Sequence, residues 1–140
     1  MKPSEIRREL LDQHTAIKRK MGEARHAPTA RDLHRLLVEI GDLLRKHNAR
    51  EEELMTEVFP TLDAWGMIRA EVMVGEHIDA HRELFETLLA ANATNDAVVA
   101  KRKAIELFDR ILEHMTREEK VFLCEEVLSD DGFVPDAFGG

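Results

Sequence analysis

Four segments of the sequence carry histidine and glutamate at spacings that suit metal binding. They contain His14 alone, His47 with Glu51, His77 with His81, and His114 with Glu118. The three pairs are spaced i,i+4, which places both side chains of a pair on one face of an α-helix, a turn apart. Imidazole nitrogens and carboxylate oxygens bind first-row transition metals, and carboxylates also bridge two metals. The sequence therefore predicts a metal site built from helices.

Each of these residues interrupts the apolar stripe of a predicted helix. In the first segment Ile6, Leu10, Ile17 and Met21 follow a three-to-four-residue rhythm, and His14 occupies its missing step. The same pattern recurs three times. Capping and breaking residues place the four helices over about residues 4–25, 30–58, 67–91 and 96–127.

Helix ends and core faces follow from the same signals. We expect Ser4 to cap the first helix and Thr94 or Asn95 to cap the fourth. In the third helix we expect an inward-facing stripe formed by Ile68, Val72, Leu84 and Leu88.

The composition favours helices throughout. Ala, Leu, Glu, Arg and Lys dominate, while four Pro, seven Gly and no Tyr leave little turn or strand chemistry. The predicted fold is all-α, an antiparallel up-down-up-down four-helix bundle spanning residues 1–128. Residues 129–140 are predicted to form a C-terminal tail, with Phe133, Val134 and Phe138 available to dock on the bundle.

The seven ligand-type residues are expected to share one layer of such a bundle. At 1.5 Å rise per residue, all of them fall roughly 10–21 Å from the same end. Buried carboxylates and imidazoles without partners are costly, which argues against a purely structural role for the layer. One tetrahedral zinc takes only four ligands. Two octahedral metals accommodate five histidines, two bridging glutamates and an oxo or hydroxo bridge, with one position left for a small molecule. Iron suits this set, with manganese or zinc as substitutes.

Charge and cysteine content exclude several classes. The 20 Lys and Arg against 28 Asp and Glu give a net charge of −8, which argues against nucleic acid or an anionic membrane as partner. No apolar run approaches the ~20 residues of a membrane span, and the first residues lack a secretory-signal pattern. Cys124 is the single cysteine, so a reducing, cytoplasmic location is expected.

The order and spacing of these motifs over residues 4–127 resemble the hemerythrin-like (HHE cation-binding) family. The resemblance implies a non-haem di-iron centre with dioxygen binding at one iron. It implies one iron held by His77, His81 and His114, and a second, dioxygen-binding iron held by His14 and His47. Glu51 and Glu118 would bridge them, and Ile17, Ile111 and Met115 would form the wall of the ligand pocket.

The sequence departs from the oxygen-carrying members at one position. Those members have Asp five residues after the last histidine, whereas this chain has Glu118 and Glu119 four and five residues after His114. On an undistorted helix Glu118 lies about 40° from the direction of His114, and Glu119 about 140°. We therefore expect Glu118 to face the metals and Glu119 to turn toward solvent.

The resulting functional hypothesis is a di-iron protein that binds dioxygen reversibly for storage, shuttling or sensing. Two alternatives remain open at this stage. The same centre could act as an enzyme on peroxide or nitric oxide or in iron–sulfur repair, or the bundle could be a regulator that responds to iron. The sequence identifies no protein partner.

Overall fold

A computed structural model describes residues 1–130 of the chain, apart from the side chain of Ile78. The described part contains four α-helices and one short 3-10 helix, and it contains no β-strand. The α-helices are α1 (Pro3–Arg25), α2 (Ala30–Val58), α3 (Ala64–Ala93) and α4 (Ala97–Val121), and the 3-10 helix (Phe59–Thr61) follows α2. The predicted all-α class with four helices is confirmed.

The predicted starts of three helices are wrong, and side-chain capping explains two of the observed starts. α3 begins at Ala64 because the Asp63 carboxylate accepts a hydrogen bond from the Gly66 amide at 2.7 Å. α4 is capped by Asp96, which accepts from the amides of the residues at its start. α1 begins at Pro3 rather than after Ser4, since proline suits the first position of a helix.

The chain leaves the helical conformation earlier than predicted at the end of α4. The backbone of Phe122 has φ −125° and ψ −46°, so α4 ends at Val121 and not at Val127. The following turn buries Phe122, Leu123 and Leu128, which close this end of the bundle. The division at residue 128 between bundle and tail stays a prediction. The predicted docking of Phe133, Val134 and Phe138 falls outside the described residues.

The inward face of α3 differs from the predicted one in the first half of the helix, whereas Leu84 and Leu88 in the second half are buried as predicted. Ile68 and Val72 are 61% and 46% exposed, whereas Met73 is fully buried. Ile68 lies nine residues before His77, about 180° around the helix, so the two cannot face the same side. The buried stripe passes instead through Ala70 and Met73 to His77.

Because Met73 is buried and Ile68 is exposed, substitutions at these two positions of α3 should change the free energy of unfolding by different amounts. Met73→Ala removes fully buried side-chain volume and should lower the free energy of unfolding by about 2–5 kcal/mol. Ile68→Ser changes an exposed side chain and should alter it by less than about 0.5 kcal/mol. Urea unfolding of the metal-free protein, followed by circular dichroism, measures both. Equal costs would show that Ile68 faces the core.

The buried apolar side chains form two clusters, and the ligand-type residues lie between them along every helix. We call the two apolar clusters the large core, which includes Leu37 and Phe108, and the terminal core, which includes Leu54 and Phe122. In α1 and α3, the N-terminal half packs in the terminal core and the C-terminal half packs in the large core. In α2 the order is reversed, and the same is true of α4 together with the turn that follows it. Each helix therefore carries its His and Glu residues at the boundary between the two cores.

None of the described helices combines the length and the apolar character needed to cross a membrane.

Candidate metal centre

All seven residues predicted as ligands converge inside the bundle. Five of them are buried, namely His14, His47, Glu51, His77 and Glu118, and His81 and His114 are partly buried. Their ligand atoms form three overlapping groups in which all atoms lie within 4.8 Å of one another. The groups are His77–His81–His114, His14–His47–Glu118, and Glu51–His77–Glu118. The two histidine groups are those that the resemblance implied.

Glu118 connects the two histidine groups. Its Oε1 lies 3.1 Å from Nε2 of His14 and 3.9 Å from Nε2 of His47. Its Oε2 lies 2.7 Å from Nε2 of His77 and 3.6 Å from Nε2 of His114. One oxygen of the carboxylate therefore faces each group, the orientation that a bridging ligand needs.

Glu51 spans the same two groups from α2. Its Oε2 lies 3.0 Å from Nε2 of His47, and its Oε1 contacts Nε2 of His77. Glu51 is 2% exposed, so both oxygens are confined to the layer. The two glutamates thus enter from different helices, and each of them contacts both histidine groups.

The charges of the layer depend on one another. Burial acts to raise the pKa of Glu51 and Glu118, but contacts with the neighbouring histidines outweigh it and hold both pKa values below the ordinary range. Burial acts to lower the pKa of His77, yet the two carboxylates raise this pKa to about 10. Burial and the charge of His77 lower the pKa of His81 to about 4. The layer therefore keeps two carboxylates ionised inside the bundle and attracts positive charge.

The unpaired polar atoms fit a metal-binding layer. All four carboxylate oxygens of Glu51 and Glu118 are buried and lie close to imidazole nitrogens, but neither these oxygens nor Nε2 of His77 has a partner in hydrogen-bonding geometry among the described residues. Native proteins seldom bury such atoms unpaired unless an ion or water satisfies them. Five imidazoles and two carboxylates form a donor set that suits iron, manganese or zinc.

Gln13 holds His47 from outside the layer. Its Oε1 lies 2.6 Å from Nδ1 of His47, so the imidazole donates there and its Nε2 is left for the interior. Sequence analysis missed this contact. Its only sequence signal is a polar residue next to His14, and such neighbours are too common to single one out.

We expect Gln13→Leu to weaken metal binding at His47 by about 10–100-fold, because the outer hydrogen bond orients the ring. Competition with a chelator of known affinity measures this change. The neighbouring exposed Asp12 provides the matched control, and Asp12→Asn should leave the affinity unaltered. An unchanged affinity in Gln13→Leu would show that the ring is oriented by other contacts.

The predicted pocket wall lies in the large core. Ile17, Ile111 and Met115 are 1%, 1% and 2% exposed and pack together with other core residues. Their contact with a bound ligand stays a prediction.

A cavity of about 110 Å³ lies between α2 and α3 and reaches the layer there, and not beside the predicted pocket wall on α1 and α4. It is lined by Asn48, Glu51, Glu52, Met55, Val74, His77 and His81. This volume holds a few molecules of the size of water. Sequence analysis did not identify this opening. A larger surface groove of about 560 Å³ at the turn between α1 and α2 is lined by none of the seven ligand-type residues.

The expectation that Glu119 turns toward solvent is wrong. Its side chain is 28% exposed, and Oε1 lies 3.6 Å from Nδ1 of His14 and 3.5 Å from Nζ of Lys18. Helix geometry correctly separated Glu119 from Glu118. Helix geometry could not show that α1 packs against the side of α4 that carries Glu119.

Comparison with known proteins agrees with this geometry. A family model described as the hemerythrin HHE cation binding domain matches residues 5–125, a range that contains all seven ligand-type residues. Comparisons with curated proteins and with solved structures gave no match.

Proposed function

The chain belongs to the hemerythrin HHE cation-binding family, and from this premise we propose that it is a non-haem di-iron protein that binds dioxygen reversibly. The observation that carries the proposal is the placement of two buried carboxylates, Glu51 and Glu118, each with one oxygen toward each histidine group. A site for a single metal does not need two carboxylates that each face two imidazole groups.

The proposed ligand assignment follows the two histidine groups. One iron would be held by His77, His81 and His114 and the other by His14 and His47, and Glu51 and Glu118 would be shared between them. When bound, the two irons supply reversible oxidation chemistry and one open coordination position for a small molecule. The grouping of ligand atoms within 4.8 Å supports this division.

The apolar side chains beside the layer favour binding over turnover. Ile17, Ile111 and Met115 belong to the large core and lie within three residues of His14 or His114 in the sequence. None of these side chains has a proton to donate. Packed apolar side chains also exclude water from a bound ligand. The protein's part in reversible binding is therefore to hold the irons and to keep protons and water away.

We also infer that the helices run up-down-up-down. The alternating order in which α1 to α4 contribute to the two cores supports this arrangement. Dioxygen as the bound molecule and a cytoplasmic location remain predictions.

A second candidate function is an enzyme acting on peroxide or nitric oxide. The cavity between α2 and α3 favours it, because Asn48 and Glu52 bring polar groups beside the ligand-type His77 and His81. The carboxyl group of Glu52 can deliver a proton, which turnover of peroxide requires.

The test is anaerobic loading with Fe(II), followed by dioxygen, with visible and Mössbauer spectra. We expect a coloured adduct that disappears under argon, leaves the irons reduced, and forms again through repeated cycles. Immediate and permanent conversion to the ferric form would contradict reversible binding and favour the enzyme.

A further inference from the structure

A second imidazole nitrogen in the metal layer, besides Nε2 of His77, is buried without a hydrogen-bond partner among the described residues. It is Nδ1 of His14, whose residue is only 1% exposed. The other nitrogen, Nε2, faces the interior at 3.1 Å from Glu118 Oε1. Nδ1 faces outward, toward the Glu119 carboxylate at 3.6 Å. A buried N–H in this position needs an acceptor.

The Glu119 carboxylate is held over the outer side of this ring by a second contact. Lys18 lies one turn after His14 on α1, and its Nζ is 3.5 Å from Glu119 Oε1. The side chains of Lys18 and Glu119 are 39% and 28% exposed. The carboxylate therefore lies between a surface ammonium group and a buried imidazole. A charge-assisted hydrogen bond of ~2.8 Å would require Oε1 to move closer to Nδ1 by about 0.8 Å.

We propose that Glu119 is a positioning residue for the metal centre. Its carboxylate accepts the Nδ1–H of His14, which leaves the lone pair on Nε2 and directs that nitrogen toward the metal. The inference rests on the proposed function and extends it to a residue outside the ligand set. It also gives Glu119 a role other than bridging. Glu119 occupies the position at which the oxygen-carrying members have Asp.

The two histidines assigned to the same iron are then held by unlike groups. His47 donates to the neutral amide oxygen of Gln13, whereas His14 donates to a carboxylate. A carboxylate acceptor increases the basicity of the imidazole more than an amide does, and so strengthens the metal–nitrogen bond. Loss of the Glu119 charge should therefore speed release of the ion at His14 and His47, and should not affect the ion at the three-histidine group.

The experiment uses the full chain loaded with Zn(II), a diamagnetic ion, and compares wild type, Glu119→Ala, Glu119→Gln and the control Glu125→Gln. Glu125 is a suitable control because its carboxylate is 3.6 Å from Arg7, and its side chain is 82% exposed. Proton–nitrogen NMR detects the Nδ1–H of His14, and transfer to a chelator gives the release rate of each ion.

We expect a slowly exchanging Nδ1–H signal for His14 in wild type and in Glu125→Gln. Glu119→Ala should lose this signal through exchange with water and release one of two ions about 10–100-fold faster. Glu119→Gln keeps an acceptor oxygen, so it should retain the signal and show an intermediate rate.

An unchanged signal and unchanged release in Glu119→Ala, with two ions bound in wild type, would overturn the positioning role alone. A wild-type chain that binds neither zinc nor iron would contradict the proposed function, and this inference with it. The two failures are therefore distinguishable.

Discussion

Glu118→Ala is expected to lose most of both metal ions, whereas Glu119→Gln keeps both when iron is saturating. Glu118 is fully buried and contacts both histidine groups, so its loss removes a ligand from each metal. Besides Lys18, Glu119 contacts His14, and it does so at the outer nitrogen of the ring. Its replacement therefore changes the rate of metal release without removing a ligand.

Elemental analysis after anaerobic iron loading measures this difference, with circular dichroism to confirm that each variant is folded. Glu118→Gln preserves the side-chain volume and removes the charge, so it should also lose metal and thereby exclude a simple packing defect. The reverse result, with metal kept in Glu118→Ala and lost in Glu119→Gln, would indicate a locally widened turn of α4 that directs Glu119 inward.

Loss of a terminal ligand and loss of a bridge should have different consequences. His14→Ala should retain about one ion per chain, because Nε2 of His14 belongs to a single histidine group. Glu51→Ala should deplete both ions, because its two oxygens face His47 and His77 in different groups. Metal content and Mössbauer spectra of the two iron-loaded variants check this. Equal depletion would contradict the assignment of Glu51 as a bridge.

The main features of the fold and of the candidate site were accessible from sequence because polar residues stand out in apolar stripes. His14 replaces one step of a regular rhythm, and His47 with Glu51 does the same in α2. Helix rise then placed all seven residues at one height. This inference required the number of helices and their approximate lengths, which composition and capping residues indicate, together with an antiparallel arrangement.

The face of α3 was not predictable in the same way. Ile68 and Val72 are strongly apolar yet exposed, while the core is built partly from Ala70, a weak hydrophobic signal. Two stripes of opposite direction therefore compete in the sequence. Packing against neighbouring helices, and the position of His77, decide between them.

Contacts between helices were likewise beyond the reach of sequence. Helix geometry gives the direction of a side chain on its own helix, but not which helix lies in that direction. The contacts of Gln13 with His47 and of Glu119 with His14 join residues of α1 to α2 and to α4. Both depend on how the helices pack, and neither involves a recognisable spacing.

Iron content per chain tests the central claim most directly. The full-length protein is reconstituted anaerobically with Fe(II), freed of unbound metal, and assayed for iron and for protein by independent methods. Two carboxylates shared between two histidine groups predict two irons per chain. A value of one or none, in a chain that circular dichroism shows to be folded, would contradict the di-iron centre.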